Sequence, residues 1–208
     1  MQNSQLNTRP NSTSGSKSQT MIVGAACLFA VITLVLRFAP LPENFGAFGA
    51  LSIFCGLMVC GPLRWALPLA TLFAGDCLGQ VMGTPGMGFY SAQSMLFNYL
   101  AMASMVLVGS CFSAAANRTK NAPWQSWIAV GIACLCGSVA FFLVSNFGSW
   151  LDPLLPYDRS FSGLMTCYWN GLPFFRPTLQ SDLVFGPAFY GAYQLAPLAL
   201  GIQGTRTR

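Results

Sequence analysis

Charge is absent from four long stretches of this chain: Met21–Leu36, Trp65–Gly75, Cys77–Asn117 and Asn121–Leu151. A helix needs about 20 apolar residues to cross the hydrocarbon core of a bilayer, and a charged side chain at its centre costs about 3 kcal/mol. Only 7% of the 208 residues are charged and 54% are hydrophobic, against roughly 25% charged in a soluble domain. The expected fold is therefore an all-α membrane protein, a six-helix transmembrane bundle whose first partner is the lipid bilayer.

Turn residues divide the apolar sequence. Spans are expected at about Thr20–Leu36, Phe45–Cys60, Trp65–Val81, Phe89–Ala116, Trp124–Ser145 and Leu179–Gly201, with breaks at Pro40, Gly61-Pro62 and Gly83-Thr-Pro-Gly86. Residues 1–19 are polar and are read as a disordered tail. Residues 20–202 form the membrane domain and residues 203–208 a second tail. Residues 146–178 are read as a long connection. In it Phe161, Leu164, Met165 and Tyr168 repeat at helical spacing, and Gly171 and Pro173 follow. That pattern predicts a short interfacial helix lying over the bundle.

Orientation follows from lysine and arginine. With the N-terminus inside, Arg9, Lys17, Arg64, Arg118, Lys120, Arg206 and Arg208 face the cytoplasm and only Arg37, Arg159 and Arg176 face out. Both termini are then cytoplasmic. All the acids fall on the outer side: Glu43, Asp152 and Asp158 in loops, Asp76 and Asp182 inside spans.

Several chemistries find no support. The chain has no histidine, the commonest general base and metal ligand. Seven of its eight cysteines lie in or beside apolar stretches, where cysteine acts as a small hydrophobe. No G-x-x-x-x-G-K-[ST] loop occurs. No metal, cofactor or nucleic-acid partner is expected, and an intramembrane enzyme built on Asp76 and Asp182 ranks last because no nucleophile or activating base joins them.

The candidate binding residues gather at the outer end. Asp76 lies between Gly75 and Gly79, a spacing that lets another helix approach; it reads equally as a ligand group or as a structural bond. Asp182 reads as a ligand group or as a carboxylate answering a helix dipole. Arg176 is close enough in sequence to pair with either. Ser91, Ser94 and Asn98 form a polar stripe. Arg37 and Asn44 lie in the first outer loop, and Asn146, Trp150 and Tyr168 in the last. A buried carboxylate needs a partner, so Asp76 or Asp182 is expected beside Arg37 or Arg176. At the inner end Ala26 and Ala30 form an A-x-x-x-A pair that suits close packing, within the bundle or on a partner.

Four stretches carry a resemblance: Arg37-Phe-Ala-Pro40, Asn44–Leu51, Asn146–Leu151 and Gly163–Tyr168 running on to Asp182. They resemble an uncharacterised family of bacterial membrane proteins, a domain of unknown function. That family usually reads Pro-Asn-Phe where this chain has Glu43-Asn-Phe45, and Thr-Asn-Phe-Gly where it has Ser145-Asn-Phe-Gly148. The resemblance implies a multi-pass protein of the inner (cytoplasmic) membrane. By layout the chain is also similar to the substrate-binding components of energy-coupling-factor vitamin transporters. That likeness implies an outward-facing site for a small-molecule solute, a partner-docking surface at Ala26 and Ala30, and a coupling transmembrane subunit with ATPases. A solute-binding or transport subunit is thus the first functional expectation. The alternative is a structural or assembly subunit of a larger membrane complex, with no solute of its own.

Overall fold

The computed structural model describes residues 12–84, 87–117 and 123–199, and among these the chain forms helices and no strand. Helix α1 spans Ser12–Arg37, α2 Phe48–Met58, α3 Leu63–Met82, α4 Ala92–Ala116, α5 Pro123–Leu151 and α6 Phe161–Ala199. The stretches Gln19–Arg37, Ala92–Ala116 and Trp124–Leu151 are long and apolar enough to cross a membrane. Each of these stretches buries less than half of its residues against the rest of the chain. Leu28, Val31, Val35, Leu96, Leu107, Ile128 and Leu143 point outward from them. Apolar side chains exposed in this number belong against lipid, and the chain is a membrane protein.

The helices alternate in direction. Arg37 at the end of α1 pairs with Asp76 in the second half of α3, so those two helices run parallel and α2 returns between them. The Tyr190 hydroxyl, late in α6, donates to the Ala116 carbonyl at the end of α4 at 2.9 Å, so α4 and α6 also run together. One end of the bundle carries Arg37; the other carries Arg64, the start of α1 and the end of α6.

α2 is the hub. It touches each of the other helices, and every residue from Gly49 to Met58 is buried. Its 11 residues rise about 16 Å, half the thickness of a hydrocarbon core. Two glycines let α4 reach it. A Cβ on Gly56 would stand 2.3 Å from the Val106 carbonyl oxygen, and one on Gly109 would stand 2.6 Å from that of Ile53. Beyond this crossing the Ser113 hydroxyl (2.6 Å) and the Asn117 amide (3.3 Å) donate to the Leu57 carbonyl, which the end of α2 leaves unpaired.

Three expectations change. First, α6 is one helix of 39 residues, about 58 Å long; the expected stop at Gly171 and Pro173, and with it the separate short interfacial helix, is absent. Pro173, Pro177 and Pro187 all lie inside α6. Each removes a helix hydrogen bond, at a cost of about 3 kcal/mol or more in a soluble helix; packing on neighbouring helices and nearby Ser and Thr hydroxyls let α6 continue. The Thr178 and Ser181 hydroxyls donate to the carbonyls of Phe174 and Thr178. Gly171 serves packing: its Cβ would lie 2.3 Å from Oδ1 of Asn146 on α5. Second, α5 continues to Leu151, which shortens the expected connection of residues 146–178 to Asp152–Ser160. Third, α1 begins at Ser12 rather than Thr20; residues 1–11 and the tail at 203–208 lie outside the described residues.

Ala26 is fully buried and Ala30 nearly so, both in the core with Phe29, Phe54 and Phe189. The partner-docking expectation at these two positions therefore gives way to packing within the bundle, because neither side chain reaches the surface.

The α2–α4 crossing yields the first test. Gly56→Val places side-chain atoms where the α4 backbone stands, and no rotamer relieves a clash with a main-chain carbonyl. Overpacking of this kind typically costs about 1–3 kcal/mol, and more when backbone must move. The thermal midpoint of the purified variant in detergent is expected to fall by several degrees, while Gly24→Val, which meets nothing within 4 Å, leaves it unchanged.

Candidate functional site

A cavity of about 540 Å³ opens at the Arg37 end of the bundle, above the first turn of α2. Phe48 and Gly49 form its floor. The segment between α1 and α2, from Ala39 to Gly46, forms one wall. Asn44 holds this segment in shape, with φ of 60°, a left-handed conformation that asparagine tolerates better than most residues. The Thr178 hydroxyl on α6, whose one proton goes to the Phe174 carbonyl at 2.9 Å, stands 3.4 Å from the Asn44 carbonyl, where the segment meets the bundle. This α1–α2 segment borders the cavity; of residues 146–178, Thr178 alone does so.

The cavity brings together Arg37, Asn44, Asp76, Asn98 and Asp182 from the expected set. The Arg37 Nη2 donates to Asp76 Oδ1 at 2.6 Å, and the Tyr99 hydroxyl donates to Asp76 Oδ2 at 2.8 Å. The Arg37 side chain reaches Asp76 because Gly75 has none: a Cβ there would lie 2.9 Å from Arg37 Cδ. The guanidinium also lies over the Phe48 ring, 5.2 Å from its centroid, a cation–π arrangement. Gly79, the other half of the glycine pair, makes room for Met87 instead.

Asp182 is held differently. It is 1% exposed, and its Oδ2 accepts from the Ser138 hydroxyl on α5 at 2.7 Å. Its Oδ1 has no hydrogen-bond partner and lies 2.2 Å from where a Cβ on Gly49 would be. The carboxylate thus packs on the first turn of α2, whose N-cap residue Ala47 supplies no side-chain bond. There it faces the positive end of the helix dipole. Arg37 Nε is the other buried polar atom at this cavity without a partner. Leaving such a group unpaired costs about 1–3 kcal/mol, so the site holds one unanswered donor and one unanswered acceptor.

The other expected residues serve the α5–α6 hairpin. Asn146 donates to the Phe142 carbonyl at 2.9 Å and packs on Gly171. The Trp150 indole donates to the Asp158 carbonyl and the Tyr168 hydroxyl to the Leu143 carbonyl. Arg176 is exposed and joins neither acid; the ion pair among the described residues is Arg37–Asp76. None of these four lines the cavity. The polar stripe on α4 divides as well. Asn98 bonds the Tyr90 hydroxyl at the cavity, whereas Ser94 donates to Asp152 Oδ2 at 2.5 Å.

Sequence reasoning missed Tyr99, Ser138, Gly49 and Tyr90. Tyr99 and Ser138 stand alone in apolar helices, and only the acid facing each gives it a role. Among the described residues no group of three metal-ligating side chains occurs, and all eight cysteines are free thiols.

This chain belongs to the family of unknown function DUF6580, which matches residues 16–201. No curated protein and no solved structure matches it.

Two tests follow from these geometries. Arg37 and Asp76 are mostly buried, at 17% and 7% side-chain exposure, so Arg37→Met leaves a carboxylate without its cation. Breaking a buried pair from one side costs about 3–5 kcal/mol, and replacing both partners with apolar groups costs far less. Urea or thermal denaturation should therefore find Arg37→Met less stable than the double variant Arg37→Met/Asp76→Leu. The second test concerns Asp152, just past the end of α5. The Ser91 and Ser94 hydroxyls and the Leu154 amide hold its carboxyl below the ordinary value near 3.8. Its contribution is present above that value and is lost as the pH falls through the lowered one. Asp152→Asn should flatten the acid limb of the stability–pH curve and leave its slope near neutrality unchanged.

Proposed function

We propose that this member of DUF6580 is a solute-binding subunit of the inner (cytoplasmic) membrane, crossing it six times with both termini in the cytoplasm. The observation that carries this reading is the cavity of about 540 Å³, in the size range of small-molecule sites, bordered by a buried acceptor and a buried donor without partners. A polar group left unsatisfied in a membrane interior is a cost that a bound molecule removes. A structural bundle would gain stability by filling the space.

The distribution of charge supports an outward-facing site. Glu43, Asp76, Asp152, Asp158 and Asp182 belong to the cavity half of the bundle, while Arg64 sits at the opposite end beside Ser110. The excess of lysine and arginine assigned to that opposite end favours the cytoplasm. The α1–α2 segment borders the cavity and meets α6 at the Thr178–Asn44 contact, so its displacement there gives a solute a way in. The sequence has no G-x-x-x-x-G-K-[ST] loop, so on this reading energised transport draws on a coupling transmembrane subunit and ATPases.

The test is purification from the native membrane followed by mass spectrometry of bound small molecules and proteins. A stoichiometric solute is the expected result. A stoichiometric protein complex with no solute favours the assembly-subunit reading instead. Topology is tested separately: reporters on both termini should read from the cytoplasm, and a cysteine introduced at Arg159 should react with an impermeant reagent added outside.

A further inference from the structure

We infer that the solute of this cavity is a small organic cation whose protonated nitrogen is held by Asp182. The inference rests on the solute-binding reading and goes beyond it in naming the charge and the group that recognises it.

The charges of the site do not balance. Arg37 contributes one positive charge, and the N-terminus of α2 about half of one. Against these stand Asp76, Asp182 and, on the more exposed wall, Glu43. Arg37 is already committed. One of its nitrogens bonds Asp76, its face lies on Phe48, and its side chain is wedged against Gly75. Its Nε has no partner, but its charge is already answered by Asp76, so it offers a ligand a donor and no net charge. Asp76 is committed as well, with Arg37 on one oxygen and Tyr99 on the other.

Asp182 is the unspent group. Two neutral donors answer it, the Ser138 hydroxyl on Oδ2 and the Ala50 amide in the first turn of α2, and Oδ1 still lacks a full hydrogen bond. Ionised carboxylates accept up to about four hydrogen bonds, and a buried charge calls for a compensating one. An anionic solute would add a second negative charge beside it. A neutral solute would leave the buried carboxylate to be neutralised by a proton instead. An ammonium or amidinium donates to Asp182 and cancels its charge at once. The aromatic lining suits the same ligand: Phe45, Tyr90, Tyr99 and Phe141 line the cavity, and aromatic rings attract cations. Gly49 is what admits the carboxylate to the floor, since any side chain there would occupy the place of Oδ1.

The test uses the full chain in nanodiscs and three probes of one shape: phenethylamine, 3-phenylpropionate and 2-phenylethanol. Equilibrium binding should show the ammonium at least tenfold tighter than the other two. Asp182→Asn should reduce that preference to threefold or less, while Ser138→Ala, which keeps the charge, retains it. The preference in the unmodified chain decides the matter even if Asp182→Asn does not fold. Equal binding of the three probes, or a preference for the carboxylate, overturns the inference. An anionic or neutral compound co-purifying in stoichiometric amount overturns the cation and leaves the solute-binding reading standing. The absence both of a co-purifying compound and of any probe binding overturns the two together.

Discussion

Everything at this site depends on a helix that is buried on all its faces and yet spans only half a bilayer. In lipid the apolar effect does not press helices together, so association rests on close contact between backbones. Gly56 and Gly109 supply that contact by letting α2 and α4 meet main chain to main chain. With α2 fixed at the centre, the surrounding helices pack on it, and its shortness decides the rest. The bundle is taller than its hub, so the space above Phe48 has no helix to fill it, and the cavity forms there.

A short buried helix also ends where water does not reach. The first amides of α2 need an answer that a bilayer cannot give. At this end the answer comes from α6, whose Asp182 packs on Gly49, and at the other from α4, through Ser113 and Asn117. The two acids near the cavity thus play different parts. Asp76 is neutralised by Arg37 and Tyr99 and ties α1, α3 and α4 together. Asp182 ties α5 and α6 to α2 through Ser138 and Gly49 and keeps an oxygen in reserve.

The projecting hairpin of α5 and α6 is a separate construction. Trp150, Tyr168 and Asn146 spend their polar groups on backbone carbonyls within it, and Arg159 donates to the Leu151 carbonyl across the turn. α6 is about twice as long as the hydrocarbon core is thick, so its first turns stand clear of the half that packs on α2. This is why residues close to Asp182 in sequence, Arg176 among them, belong to a different neighbourhood.

The sequence by itself determined the helical class, the apolar spans of α1, α4 and α5, and the gathering of acids toward one end. Those follow from charge and hydropathy, which act residue by residue along the chain. It also made Arg37 or Arg176 the expected partner for a buried carboxylate, because so few cations are near enough to serve. It did not determine the continuity of α6, since glycine and proline stop helices in water and need not do so in lipid. It did not separate the packing alanines Ala26 and Ala30 from a surface pair, because spacing alone does not say which way a face turns. Tertiary structure alone decided that Tyr99 and Ser138 meet the two acids, that the α1–α2 segment borders the cavity, and that Asp182 has an unpaired oxygen. Each of these depends on distances between helices far apart in sequence, and those distances are set by how closely the glycines let α2 and α4 approach.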